Sequence, residues 1–266
     1  MNLTERTEIT RQIAVEAGQL ARDYFRQIDT LKIEKKGHQD FVSAADREVE
    51  VLVRRRLAEH FPEDAIVGEE HAPTEGSSGF TWVIDPIDGT TNFVNAIPAW
   101  VVVIAGVENG QTCIGVIHDP CHDETFVAVR GEGARLNGHP ISVPRDLTLR
   151  DGSVAVGHSN RIASEATARL VAAILNAGGL FHRNASGALS LAYVAAGRLL
   201  GYSEAHMNAW DCLAGQLLVA EAGGKVEAQD ADQMIANGGR VIVGAPRVFD
   251  DLVRLYEAAL VPSPSE

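Results

Sequence analysis

The sequence predicts a mixed α/β protein whose two halves are built differently. In the first half, apolar residues recur at helical spacing over residues 4–28 and 40–61, which indicates two amphipathic helices. Three apolar runs follow, at residues 100–107, 113–117 and 125–129, and turn residues separate them as they separate consecutive strands. The first half is therefore expected to be a pair of helices packed on an antiparallel sheet.

The second half alternates between short strand-like runs and longer helical patterns. The predicted strands are residues 154–156, 199–203 and 241–244, and the predicted helices are residues 165–175, 187–196, 208–222 and 247–260. No repeat or low-complexity linker separates the two halves. We therefore expect an N-terminal half, residues 1–145, and a C-terminal half, residues 146–266, packed as one globular unit.

The composition is typical of a soluble globular protein, with 45% apolar and 22% charged residues among 266. A formal net charge of −13 disfavours a nucleic-acid-binding surface, which would be basic. The most apolar run, residues 99–107, is far shorter than the roughly 20 residues of a membrane span. The first ten residues lack signal-peptide features and the three cysteines show no C-x-x-C spacing, which predicts a cytoplasmic protein.

The richest chemistry lies in residues 82–93, which read WVIDPIDGTTNF. The first three residues indicate a buried strand, and we expect Asp85 and Pro86 to end it because proline lacks a backbone N–H and restricts the residue before it. A rigid turn could then aim the carboxylates of Asp85 and Asp88 at one point. Gly89 allows a close backbone approach that a side chain would forbid.

The end of this stretch offers hydroxyls, an amide and backbone N–H groups at Thr90, Thr91 and Asn92, where a helix could begin and attract an anion. Carboxylates repel phosphate, so acids beside an anion site require a hard cation such as Mg²⁺ between them. The stretch predicts a metal-dependent phosphate site. The alternative is a D-x-x-D-G turn that only caps a strand; a calcium loop is disfavoured because the alternating acidic spacing is missing.

Two further acidic positions stand out in the first half. Asp46 interrupts the apolar stripe of the second helix, and a buried carboxylate is unfavourable unless it is paired or bound. Its alternative role is a first-turn acid that favours the helix dipole. Glu69 and Glu70 follow a predicted short strand, residues 65–68, where the alternative is an exposed acid pair.

Three polar residues of the second half can each be interpreted as either structural or functional. Asp211 lies three residues after Asn208 and fits a capping box, yet it points towards the interior side of its helix. Glu204 is expected to end a strand nearby, or else to be a surface acid. Ser186 is a natural N-cap for the helix that follows it.

These residues carry a resemblance to a known family. Residues 82–93 resemble the metal-binding motif of the inositol monophosphatase family, and residues 210–215, WDCLAG, resemble its second signature. The similarity extends from the first helix to about Tyr256. It implies a layered α/β/α/β/α sandwich, a Mg²⁺-dependent and often lithium-sensitive phosphatase, and a homodimer.

The resemblance also implies which residues hold two or three Mg²⁺ ions. The first ion would be held by Glu69, Asp85 and the backbone carbonyl of Ile87. The second would be held by Asp85, Asp88 and Asp211, with Asp85 bridging. A catalytic role follows for Glu69 as well, because the family uses it to position the attacking water.

The same resemblance assigns the remaining catalytic and phosphate contacts. Thr90, oriented by Asp46, would position the attacking water together with Glu69, and Asp46 would help to hold a metal-bound water. The backbone N–H groups of Gly89 and Thr90 would cradle the phosphate.

The expected substrate wall consists of Asp88, Ser186, Glu204 and Asp211. Glu204 matches the glutamate with which the family contacts substrate hydroxyls. The possible loop contact is Lys35, which lies beside Lys36 in a predicted polar connection over residues 31–41 and matches the family's active-site lysine.

The implied function is hydrolysis of a small polyol phosphate, with inositol 1-phosphate as the favoured substrate of an inositol-phosphate phosphatase. Residues 185–188 read ASGA where the family tends to show Gly-Ser/Thr-Ala-Ala, which lowers the weight on inositol phosphate. Histidinol phosphate is the alternative, because Glu204 could pair with its ammonium group. Some bacterial relatives act as protein partners of the transcription machinery; the acidic surface permits such a contact but disfavours direct RNA binding.

Overall fold

The structure is a computed structural model that describes residues 2–28, 33–37 and 40–261, and of residues 33–37 and 40–43 the backbone only. The helices of the described chain are α1 (Leu3–Phe25), α2 (Ala44–His60), α3 (Thr90–Val94), α4 (Ser164–Asn176), α5 (Gly187–Ala195), α6 (Ala209–Glu221), α7 (Ala231–Asn237) and α8 (Phe249–Leu260). None of them is both long enough and apolar enough to cross a membrane.

The strands fall into a hairpin and two larger sheets. They are β1 (Ile33–Gly37), β2 (Asp40–Ser43), β3 (Ala65–Gly68), β4 (Phe80–Asp88), β5 (Val101–Glu108), β6 (Gln111–Asp119), β7 (Glu124–Val129), β8 (Gly133–Leu136), β9 (His139–Ile141), β10 (Ser153–Val156), β11 (Leu180–His182), β12 (Gly201–Met207), β13 (Lys225–Val226) and β14 (Gly239–Gly244). One sheet has the order β3-β4-β5-β6-β7-β8-β9 and is antiparallel except for the β3–β4 pair. The other has the order β11-β10-β12-β14-β13.

Three apolar clusters join these elements into five layers. The first lies between α1, α2 and the seven-stranded sheet. The second lies between that sheet, the helices α5 and α6, and the five-stranded sheet, and the third fills the space between the five-stranded sheet and helices α4 and α8. The predicted α/β/α/β/α sandwich is confirmed, as is the helix pair on a largely antiparallel sheet.

The continuous apolar runs of the sequence follow from this layering. Along β5, Val101, Val103 and Ala105 face the middle cluster, whereas Val102 and Ile104 face α1 and α2. Both faces of the strand are therefore buried, and alternation between apolar and polar residues is lost. Helices α5 and α6 belong to the C-terminal half yet pack on the sheet of the N-terminal half. The boundary between residues 145 and 146 stays a prediction.

Strand β4 does not end at Asp85 and Pro86, so that prediction is wrong. The strand continues to Asp88, and its register with β5 pairs Asp85 with Val103 but Asp88 with Val101. Three steps along β4 thus oppose two along β5, which is a β-bulge. Pro86 lies within the bulge, where its missing N–H does not interrupt the hydrogen-bonded ladder.

Several other boundaries differ from the sequence prediction. The connection predicted at residues 31–41 contains β1, which pairs with β2, so the second helix begins at Ala44 rather than near residue 40. Lys35 lies on β1, and its predicted contact concerns a side chain outside the described part. Elements β11, β13 and α7 were not predicted, because each is short and lacks a clear periodic pattern.

A buried acid fastens α1 to the start of the large sheet. Asp64 accepts hydrogen bonds from Ser78 Oγ at 2.6 Å and from Trp82 Nε1 at 2.9 Å, and it pairs with the guanidinium of Arg6. The Arg6 guanidinium also lies 4.4 Å from the ring centroid of Phe80. One carboxylate therefore accepts from three donors, of which the Trp82 indole N–H is fully buried and the Arg6 guanidinium is mostly buried.

We expect Asp64→Ala to lower the free energy of unfolding by about 3 kcal/mol, because it leaves the buried Trp82 indole N–H and the mostly buried Arg6 guanidinium without their acceptor. Urea denaturation followed by circular dichroism measures the change. Glu63→Ala is the matched control at the neighbouring exposed position, with an expected effect within about 0.5 kcal/mol. Equal small effects of both substitutions would contradict this role for Asp64.

Candidate active site

Three carboxylates from distant parts of the sequence converge at one end of the large sheet. Oxygens of Glu69, Asp85 and Asp211 all lie within 4.8 Å of one another. The register of the parallel β3–β4 pair explains the first two, because Gly68 pairs with Ile84 and the next residues emerge side by side. The third comes from the first turn of α6. The sequence-predicted ligands Glu69, Asp85 and Asp211 are thus brought together.

Asp211 also makes the capping contact with Asn208 that the sequence predicts. The backbone N–H of Asn208 donates to Asp211 Oδ2 at 3.1 Å. This bond fixes the side chain at the N-terminus of α6, where the helix dipole favours negative charge. The two readings of Asp211 are compatible, because the cap orients the carboxylate that faces Asp85.

The cluster is electrostatically unfavourable while no cation is bound. Burial and the neighbouring charges of Glu69 and Asp88 hold the pKa of Asp85 well above its usual value. Burial, followed by the charge of Asp88, raises the pKa of Asp211 to about 7. A set of carboxylate oxygens without sulfur or nitrogen donors fits a hard divalent cation such as Mg²⁺. These residues therefore fit the implied metal.

Asp88 lies beside the three converging carboxylates but also bonds to the C-terminal half. Its Oδ2 accepts from Ser186 Oγ at 2.5 Å and from the backbone N–H of Ala188 at 2.8 Å. Burial raises the pKa of Asp88, while these hydrogen bonds oppose the shift. The predicted N-cap is confirmed, since Ser186 Oγ accepts from the N–H of Leu189 at 3.3 Å. Metal ligation by Asp88 stays a prediction.

The predicted contact between Thr90 and Asp46 is present. Thr90 Oγ1 lies 3.1 Å from Asp46 Oδ1 and 3.1 Å from the carbonyl oxygen of Ile87. Asp46 is buried on α2, as its position in the apolar stripe indicated. Gly89 has φ 100°, and a Cβ there would lie 2.9 Å from the carbonyl oxygen of Ala99. Glycine is therefore required where α3 begins.

A polar cavity of about 190 Å³ adjoins this cluster, and Asp88, Ser186, Glu204 and Asp211 are among the residues that line it. The prediction that Glu204 ends its strand is wrong, because β12 continues to Met207. Burial raises the pKa of the Glu204 carboxyl to about 6. The four residues of the predicted substrate wall thus line one space, and their contact with a substrate stays a prediction.

Sequence reasoning missed Tyr202, whose hydroxyl donates to Glu204 Oε2. The two residues are two positions apart on β12 and therefore share one face of the strand. That spacing was the available signal. Burial is also the main reason that the pKa of Tyr202 stays well above its usual value, so the hydroxyl remains a donor.

We expect Mg²⁺ to raise the melting temperature more at about pH 8 than at about pH 5. Because the folded-state pKa values of Asp85 and Asp211 are raised, the metal-free folded protein binds more protons than the unfolded chain between about pH 4 and about pH 7. Its stability therefore falls as the pH rises through that window, and Mg²⁺ replaces the lost protons. Differential scanning calorimetry with and without Mg²⁺ measures the shift. Asp211→Asn should shrink it, and an equal shift at both pH values would contradict this account.

The comparisons with known proteins agree with this geometry. A family model described as the inositol monophosphatase family matches residues 2–259. The chain is 38% identical over 246 residues to the Nus factor SuhB of Escherichia coli strain K12, covering 90% of this chain and 91% of that protein. It is also 38% identical over 243 residues to the inositol-1-monophosphatase of Mesorhizobium japonicum, covering 88% and 89%. The crystal structure of the extragenic suppressor protein suhB from Bartonella henselae matches with a TM-score of 0.87 at 32% identity, over 95% and 97% of the two chains. The chain belongs to the inositol monophosphatase family.

Proposed function

We propose that this protein is a Mg²⁺-dependent phosphomonoesterase that hydrolyses a small polyol phosphate, with inositol 1-phosphate as the favoured substrate. The observation that carries the proposal is the convergence of Glu69, Asp85 and Asp211 within 4.8 Å beside a polar cavity. Membership in the family supports a phosphatase. The relative from Mesorhizobium japonicum, named inositol-1-monophosphatase, supports the favoured substrate.

The residues that would hold the metal are Glu69, Asp85, the carbonyl of Ile87, Asp88 and Asp211. When bound, divalent cations would neutralise phosphate charge, lower the pKa of a water and stabilise the leaving oxygen. No cysteine, serine or histidine nucleophile is needed for this chemistry.

Other groups of the chain would orient the reactants. The Thr90 hydroxyl, held between Asp46 and the Ile87 carbonyl, would hydrogen-bond the attacking water. Glu69 would accept a hydrogen bond from the same water. The backbone N–H groups of Gly89 and Thr90 would bind phosphate oxygens, because the left-handed conformation of Gly89 leads directly into α3.

The size and polarity of the cavity favour a small substrate with several hydrogen-bonding groups. A cavity of about 150 Å³ can hold benzene, so the space of about 190 Å³ found beside the carboxylates suits one polyol ring. Glu204 would accept a hydrogen bond from a substrate hydroxyl while Tyr202 occupies its Oε2. The same carboxylate could pair with the ammonium group of histidinol phosphate, which remains the alternative substrate.

Three further properties are proposed on the family resemblance. We infer a homodimer, lithium sensitivity and a cytoplasmic location. Among the residues described, Cys113, Cys121 and Cys212 are free, which suits a reducing compartment. The homodimer and lithium sensitivity rest on the resemblance alone.

We expect Asp211→Asn to reduce phosphate release from inositol 1-phosphate by about 100-fold or more, because it removes one charged ligand of the metal. Without Mg²⁺ its melting temperature should not fall, since the substitution also removes charge repulsion in the cluster. Asp23→Asn, on the exposed face of α1, is the control and should keep wild-type turnover. Unchanged turnover by Asp211→Asn would contradict the proposed site.

The same assay identifies the substrate when kcat/KM is compared for inositol 1-phosphate, histidinol phosphate, fructose 1,6-bisphosphate and adenosine 3′,5′-bisphosphate. The expected order places inositol 1-phosphate first. A higher value for histidinol phosphate would replace the favoured substrate and retain the phosphatase. If none of the four compounds releases phosphate in the presence of Mg²⁺, the enzyme proposal is contradicted.

A second candidate function is a protein contact with the transcription machinery. The observation that favours it is the 38% identity to a protein named Nus factor SuhB. We expect the immobilised chain to retain purified RNA polymerase, and Asp88→Asn to retain it equally, because a docking role does not need the metal ligands. Absence of capture at low salt would count against this role. Binding of RNA by the chain alone would contradict the predicted lack of direct nucleic-acid contact.

A further inference from the structure

One fully buried carboxylate has no part in the proposed reaction. Glu50 lies on α2 with 0% of its side chain exposed. It is four residues after Asp46 and therefore lies on the same face of the helix. A buried charge at this position is unfavourable unless several donors compensate it.

The donors come from the chain segment that carries Glu69. The backbone N–H of Glu70 donates to Glu50 Oε2 at 2.7 Å, and the N–H of His71 donates to Oε1 at 3.1 Å. On the other side of Glu69, a Cβ at Gly68 would overlap the Glu50 carboxylate. Glu50 therefore contacts the backbone both before and after the predicted metal ligand.

Arg54 completes the arrangement from the next turn of α2. Its Nε donates to Glu50 Oε1 at 2.7 Å, and its Nη2 donates to the carbonyl oxygen of His71 at 3.0 Å. The arginine thus neutralises the buried charge and holds the same segment a second time. Such charge-assisted hydrogen bonds are about twice as strong as neutral ones.

We propose that Glu50 is a positioning residue that fixes the backbone around Glu69 and thereby sets the affinity of the site for Mg²⁺. The pairing of β3 with β4 ends at Gly68, so the ladder does not hold Glu69 itself. The hydrogen bonds to Glu50 continue the restraint beyond the strand. Residues that orient metal ligands through hydrogen bonds commonly change metal affinity by 10- to 100-fold when they are replaced.

The proposal rests on the proposed function, because Glu69 is a metal ligand only within it. The test is therefore Mg²⁺ binding measured by isothermal titration calorimetry on the full chain without substrate. Glutamine at position 50 has one acceptor oxygen, and its NH₂ group would face a backbone N–H. We expect Glu50→Gln to raise the Mg²⁺ dissociation constant about tenfold or more.

The kinetic readout separates positioning from general stability. In Glu50→Gln, the Mg²⁺ concentration for half-maximal phosphate release should rise, while kcat at saturating Mg²⁺ and the substrate KM stay within about threefold of wild type. Glu59→Gln is the matched control, because Glu59 lies on the same helix with 48% of its side chain exposed. A merely structural role predicts a lower melting temperature with an unchanged Mg²⁺ dissociation constant, and that result would overturn the proposal.

Arg54→Lys keeps the test decisive if Glu50→Gln does not fold. Lysine retains the charge but loses the paired contacts to Glu50 and His71, so the Mg²⁺ dissociation constant should rise by a smaller factor. No change in that variant would overturn the proposal. If wild type binds Mg²⁺ but hydrolyses no phosphate ester, the proposed function fails, and the binding data for the variants still decide the role of Glu50.

Discussion

The structure depends on holding mutually repelling carboxylates close together. Two ionised carboxylates 4.8 Å apart repel each other by about 3 kcal/mol when the effective dielectric constant is about 20. Burial first, and the neighbouring negative charges second, raise the pKa values of Asp85 and Asp211. A divalent cation relieves the same repulsion without protonation. The closeness of the carboxylates therefore both destabilises the metal-free cluster and suits it to bind a metal.

The layers of the fold hold these three carboxylates close together. The β3–β4 register sets the spacing of two acids, and α6 brings the third from the layer between the sheets. That layer approaches the large sheet closely, because a Cβ at Gly115 would lie 2.7 Å from the carbonyl oxygen of Ala214. A Cβ at Gly215 would likewise lie 2.5 Å from the Cβ of Leu191. Gly115 in β6 therefore lets α6 approach the large sheet, and Gly215 lets α6 approach α5.

The sequence predicted the layers and the converging acids better than the backbone details between them. The two aspartates at Asp85 and Asp88 indicate a metal site by residue type alone, so the site could be predicted from the sequence. The bulge at Pro86 was missed because a proline that ends a strand and a proline within a bulge leave the same local pattern. Glu50 was overlooked because a glutamate on a charged helix resembles a solvated residue, and only tertiary contacts show that the segment after Glu69 surrounds it.

The departure from the family pattern at residues 185–188 has a structural explanation that concerns the substrate wall rather than the metal. Ala185 has φ 60°, a conformation that the family's glycine adopts without strain. Gly187 stands where the family has alanine, and a Cβ there would lie 2.5 Å from Met207 Cε and 3.3 Å from the Tyr202 hydroxyl oxygen. The space left by Gly187 is therefore filled by Met207 next to the tyrosine that bonds Glu204. The departure at residues 185–188 alters the predicted substrate wall and leaves the three converging carboxylates unchanged. The family resemblance therefore supports the type of reaction more strongly than it supports a particular substrate.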